Sequence, residues 1–96
     1  MKGGWVYIIS NMAVGPFYVG VTNDIARCAW EHRQGGGASS PSRYGLTRLV
    51  YIERHEEILT AIDREKPIKH WPRQWKLNLI ATQNPLREDL FEQMNS

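Results

Sequence analysis

Two tyrosines with room to work together come early in the chain, in Trp5-Val6-Tyr7 and Tyr18-Val19-Gly20, with ten residues between them. Asp24, the Arg27-Cys28 pair and His32 follow closely. If the tyrosines lie on adjacent strands of a hairpin, their hydroxyls can be directed to one end of a sheet. A helix starting just after Gly20 would bring backbone N–H groups and a favourable dipole to the same end, which suits an anionic group such as a phosphate. Further on, Glu65 stands in a basic, half-apolar stretch and is a natural hard-oxygen ligand for a divalent metal. Each residue also has a plain structural role open to it. The tyrosines can be ordinary strand residues, His32 can be a core histidine, and Glu65 can pair with Lys69 at i+4 on an exposed helix face.

Charge is distributed unevenly. The net charge is only +2, yet residues 1–85 carry eleven Lys/Arg against seven Asp/Glu, and the last eleven carry one against three. The densest basic run joins Arg64, Lys66, Lys69, Arg73 and Lys76, with Glu65 the single acid among them. Trp71 and Trp75 fall inside this run. Cations interleaved with aromatic rings suit a phosphate backbone and its bases; a solvated helix face with its tryptophans turned inward has the same pattern.

The elements that must position these groups can be read from pattern. Trp5–Ser10 and Phe17–Val21 are rich in β-branched and aromatic residues and read as an antiparallel hairpin. Thr22-Asn23-Asp24 offers N-cap chemistry to a helix over Ile25–Arg33, with positions 25, 28, 29 and 32 on its inner face. Gly35-Gly36-Gly37 stops that helix and opens a loop to Ser42, a candidate for gripping a ligand. Arg48–Arg54 reads as a third strand. Glu56–Glu65 reads as a second helix, which Pro67, lacking an N–H, is expected to end or kink. Pro72–Thr82 reads as a third helix, with Trp75, Leu79 and Ile80 turned inward and Asn84-Pro85 closing it. The expected fold class is α/β (α+β): a three-stranded antiparallel sheet flanked by helices, in the order β-β-α-β-α-α. The domain is expected over 1–90, with 91–96 a loosely held acidic tail.

Composition bounds the rest. With 96 residues, 42% hydrophobic and 23% charged, the sequence fits one ordinary globular domain. A single cysteine, Cys28, excludes an internal disulfide and every zinc motif built on two or more cysteines. No apolar run approaches the length of a membrane span and no signal-peptide pattern is seen, so a cytoplasmic, non-membrane protein is the expectation.

Taken together, these motifs resemble the GIY-YIG nuclease family, and within it the small stand-alone bacterial proteins related to the nuclease domain of the UvrC excision subunit. The resemblance rests on Val6-Tyr7, Tyr18-Val19-Gly20, the segment from Val21 to Ile25, Trp30-Glu31-His32-Arg33, the stretch from Tyr44 to Tyr51, Arg64-Glu65-Lys66-Pro67-Ile68-Lys69, Trp75-Lys76 and Asn84-Pro85. It implies a DNA endonuclease that hydrolyses a phosphodiester around one divalent ion, Mg²⁺ or Mn²⁺. By that resemblance Tyr7 and Tyr18 are the motif tyrosines, one of them deprotonating or orienting the attacking water. Glu65 is the metal-binding glutamate, His32 supports the tyrosine–phosphate network, and Asn84 matches the family's late asparagine.

One departure bears on activity. The family's arginine lies eight residues after the motif glycine and four before the histidine. Both counts arrive at Cys28, with Arg27 one place early. One residue is about 100° of helical rotation, so Arg27 is expected to face elsewhere and pair with Glu31. A thiol is no substitute for a guanidinium as a phosphate donor. The expectation is therefore a DNA endonuclease attenuated at position 28, with Arg27 as the stand-in where one exists. Its partner is DNA in single-stranded, duplex or branched form, and it acts as a monomer or weak homodimer. The rival reading is a nucleic-acid-binding module that keeps the fold and cuts weakly or not at all.

Overall fold

The computed structural model describes residues 3–10, 17–33, 48–86, 88 and 90, without the side chains of residues 29 and 31–33. Three strands, β1 (Gly4–Ser10), β2 (Phe17–Thr22) and β3 (Arg48–His55), and three helices, α1 (Ile25–Arg33), α2 (Ile58–His70) and α3 (Arg73–Gln83), follow the order β-β-α-β-α-α. The strands form one antiparallel sheet in the order β2-β1-β3, with Tyr7 opposite Gly20 on one side and Ile52 on the other. The hairpin loop, the Gly35–Ser42 loop and the 91–96 tail lie outside the described residues.

Strand β1 is central because it can be covered on both faces. Val6 and Ile8 point into a cluster with Val19, Val50, Tyr51, Ala61, Ile68 and Ile80, to which α2 and α3 contribute. Tyr7 and Ile9 point the other way, into a cluster with Ile25, Leu49 and Leu90, against which half-buried Cys28 of α1 packs. Alternation at period two sorts one strand between two cores. The register between β1 and β3 shifts between Ile8 and Ile9, where Ile8 pairs with Tyr51 but Ile9 with Leu49. That irregularity lets Val50 and Tyr51 join the same cluster. Leu90, the last residue of the expected domain, is buried.

The helix ends carry two corrections. At α1 the N-cap chemistry is present: the Arg27 backbone N–H donates to Asp24 Oδ1 at 3.2 Å, and that of Asp24 donates to Thr22 Oγ1 at 3.1 Å. Pro67, in contrast, does not end α2; the helix runs through it to His70. The lost hydrogen bond falls on an exposed position in the last turns, while the next residue, Ile68, is fully buried. Burial of that side chain outweighs the local preference. The break comes at Trp71, whose extended backbone (φ −65°, ψ 151°) is the conformation imposed on a residue preceding proline, here Pro72. The second correction is Trp75, which is 55% exposed, whereas Ile80 of the same helix is fully buried.

The far end of α3 is held by amides. Gln83 Nε2 donates to the Ile52 carbonyl at 2.7 Å and its Oε1 accepts the Ile52 N–H at 3.0 Å, so one side chain mimics a neighbouring strand on the outer edge of β3. Asn84 is 5% exposed and donates through Nδ2 to the carbonyls of Val50 (3.1 Å) and Glu88 (2.7 Å), while its Oδ1 accepts the Glu88 N–H at 3.0 Å. No described helix is long and apolar enough to cross a membrane.

Candidate active site

Strand alternation places Tyr7 and Tyr18 on the same face, since Tyr18 stands opposite Ile9, two residues along from Tyr7. Their ring centroids are 6.2 Å apart and tilted by 37°. Tyr7 is 5% exposed and Tyr18 is 38% exposed, so the pair runs from the core to the surface. Directly across from Tyr7 sits Gly20, where a Cβ would come 2.5 Å from the Tyr7 hydroxyl oxygen and 2.6 Å from its Cζ. Real Cβ atoms do not approach that closely. The glycine is therefore a socket for the phenol.

Helix α1 closes the socket from above. Tyr7 is hydrogen-bonded to Cys28 and to Tyr18. Burial, and after it these bonds, holds the Tyr7 phenol far above the ordinary tyrosine range. At neutral pH it is a protonated donor, suited to orienting an oxygen and not to removing a proton by itself. Arg27, one residue earlier, is exposed. Cys28 packs on the side of Tyr7, with Arg27 one place earlier at the surface. His32 is in α1, but its side chain lies outside the described residues.

The other expected site residues occupy different places. Glu65 is on α2, whose buried Ala61 and Ile68 belong to the cluster on the opposite face from Tyr7. Its side chain is only 13% exposed, with Oε2 3.8 Å from Lys69 Nζ, so the i+4 pair expected from sequence is present. Because α2 packs on β2 as well as β1, Glu65 is carried by the helix that lies against the strand of Tyr18. Asn84 stands apart, at the outer edge of β3, with its amide engaged as a clamp. Lys66, Lys69 and Arg73 are exposed and Lys76 is half-buried. The Arg73 guanidinium lies 4.7 Å from the centroid of the Phe17 ring.

Arg64 belongs to a cluster that the sequence did not suggest. Glu53 accepts hydrogen bonds from the Tyr51 hydroxyl (2.8 Å to Oε2) and Arg64 Nε (3.1 Å to Oε1), and its Oε1 is 2.7 Å from His55 Nε2. His55 is half-buried. The carboxylate is half-buried too. Desolvation alone would raise its pKa, but the bonds from His55, Tyr51 and Arg64 outweigh it and hold the pKa below the usual carboxylate range. The Tyr51 phenol is pushed up to about 12, first by burial and then by Glu53. The Arg64 guanidinium also lies 5.4 Å from the centroid of the Trp71 ring. This network joins β3 to α2 one residue before Glu65, and so sets the rotation of the helix that presents it.

Comparison with known proteins now bears on the same residues. The sequence profile of the GIY-YIG catalytic domain matches residues 3–78. The chain belongs to the GIY-YIG family. The matched span holds the tyrosine pair, the glycine socket, Cys28 and Glu65. The chain is 31% identical over 87 residues to UPF0213 proteins of Yersinia pestis and Yersinia pseudotuberculosis, covering 91% of this chain and 92% of each relative. The solution NMR structure of a UPF0213 protein from Bacillus halodurans superposes with a TM-score of 0.57 at 27% identity, covering 95% of this chain and 96% of that one. The GIY-YIG fold places this chain among nuclease-family domains, whose substrates are nucleic acids.

Two outcomes follow from this geometry. Gly20→Ala forces the Tyr7 ring out of its socket and lowers stability by about 1–3 kcal/mol, as overpacking does, with a changed near-ultraviolet circular dichroism signal from the tyrosines. Glu53→Gln lowers stability near neutral pH by about 1–3 kcal/mol, the cost of weakening bonds to a half-buried charge. Because the folded state holds this carboxyl low, its contribution is present above the ordinary carboxylate range and lost as pH falls below that range through the depressed folded-state value. Urea titrations of both proteins therefore converge on acidification; a gap that stays constant with pH removes the charge from the explanation.

Proposed function

We propose that this protein is a divalent-metal-dependent DNA endonuclease, weakened by the thiol at position 28. The observation that carries the reading is the tyrosine pair seated over Gly20, with a protonated buried phenol behind a solvent-facing one. Hydrolysis of a phosphodiester builds negative charge on nonbridging oxygens, and donors fixed before the reaction stabilise that charge most effectively. Tyr7 is such a donor, locked by its socket. Tyr18, exposed at the edge strand, is the group placed to meet substrate and its attacking water. A scissile phosphate seated at the edge of β2 would lie between Tyr18 and the helix bearing Glu65.

Glu65 fits the requirement for the metal. A single largely buried carboxylate suits Mg²⁺, which keeps several waters and takes substrate phosphate as a ligand in preference to an all-protein cage. When bound, such an ion supplies Lewis-acid stabilisation of the phosphoryl oxygens and lowers the pKa of a bound water. The Glu53–Arg64 network holds the turn that presents this carboxylate. The neighbouring cations Lys66, Lys69, Arg73 and Lys76 supply the phosphate attraction common to nucleic-acid-binding surfaces. A second reading, a binding module with little or no cleavage, is favoured by one observation: the position facing Tyr7 from α1 holds a thiol where the family places an arginine.

Single-turnover cleavage with and without Mg²⁺ separates the two. Glu65→Gln, which retains the shape of the side chain but ligates Mg²⁺ poorly, abolishes metal-dependent cutting while leaving the circular dichroism spectrum unchanged. Undiminished cutting by that folded variant removes Glu65 from the mechanism. Cys28→Arg restores a cationic donor beside Tyr7 and raises the rate by up to about 10²–10³, the worth of one preorganised donor at a developing oxyanion. A folded Cys28→Arg protein with no gain, beside an active wild type, assigns the arginine's task to another residue. DNA binding without metal-dependent cutting by either protein establishes the binding module instead.

A further inference from the structure

Trp75 is a large apolar side chain left in solvent on a helix that has a buried face available. Its ring meets Trp71 edge-to-face, with centroids 5.8 Å apart and planes at 73°. Trp71 is half-buried against the α2–α3 core cluster and carries the Arg64 guanidinium on its ring, so the pair has one anchored and one presented member. Leu79, Asn78 and Thr82 extend the surface along α3 into an open, shallow depression.

We propose that Trp75, backed by Trp71, is a stacking platform for an unpaired base of the nucleic-acid substrate. The proposal rests on the nucleic-acid reading above and adds to it a requirement for single-stranded character in the substrate. Three observations select this occupant. The helices forming the platform carry Arg64, Lys66, Lys69, Arg73 and Lys76 against Asp63 and Glu65, a balance that attracts a polyanion and repels a second copy of the same face. The same helix reaches the edge strand that carries Tyr18, since the Arg73 guanidinium lies over the Phe17 ring of β2. Stacking needs a free base face, which a base inside an intact duplex does not offer.

The test measures binding apart from catalysis, with the full chain in EDTA. A short oligothymidylate and a duplex of mixed sequence are titrated, following tryptophan fluorescence and anisotropy. Trp75→Ala weakens oligothymidylate binding by about 5- to 100-fold, Trp75→Phe stays within about threefold of wild type, and duplex affinity is the same in all three proteins. Thermal melts confirm that the variants fold, as the exposure of Trp75 leads one to expect. Equal oligothymidylate affinity for Trp75→Ala and wild type overturns the platform while leaving the nuclease reading intact. Failure of the wild type to bind either nucleic acid overturns both. A wild-type dimer that becomes a Trp75→Ala monomer in sedimentation velocity also overturns the platform, assigning the face to a second copy.

Discussion

The insertion of the Tyr7 ring over Gly20 is the contact on which the candidate site depends. It uses β1 as the middle strand, where one residue is covered by α1 while its neighbours, Val6 and Ile8, are covered by α2 and α3. It also requires the hairpin register that sets Tyr7 opposite Gly20. A slip of one residue would move every side chain of β1 to the other face and leave the phenol in the aliphatic core. The site and the fold are therefore fixed by the same pairing.

Much of this was legible in the chain. β-Branched and aromatic runs marked the strands, Thr22 and Asp24 marked the start of α1, and counting residues along α1 placed Cys28 toward the tyrosines. What stayed hidden shares a physical cause. Periodicity says which residues share a helix face but not whether a neighbour covers it, so Trp75 was expected inside with Leu79 and Ile80. Local propensity cannot weigh Pro67 against the burial of Ile68. The Glu53 network draws on two elements, and its strand residues Tyr51, Glu53 and His55 became meaningful only once α2 brought Arg64 to them. Asn84 was singled out for chemistry by resemblance, and its amide is engaged in holding α3 to β3.

The two sides of the sheet divide their tasks. One holds a phenol whose ionisation is suppressed by burial, in contact with the Cys28 thiol. The other concentrates charge: Glu53 with Arg64, Glu65 with Lys69, and the exposed cations beyond. β2, at the edge, borders both. Tyr18 is exposed at that margin, with Tyr7 buried behind it.

The Gln83 amide, bonded twice to Ile52 of β3, has a consequence for the other end of its helix. An α-helix advances about 1.5 Å and turns about 100° per residue, so Trp75, eight residues before Gln83, sits about 12 Å away at a set azimuth. With the far end pinned to the sheet, α3 becomes a ruler whose zero is the edge of β3 and whose mark is an indole. Inserting or deleting a single residue between them would turn that mark by more than a quarter of a circle while the zero stayed in place. The length of α3, more than its composition, decides where the ring faces.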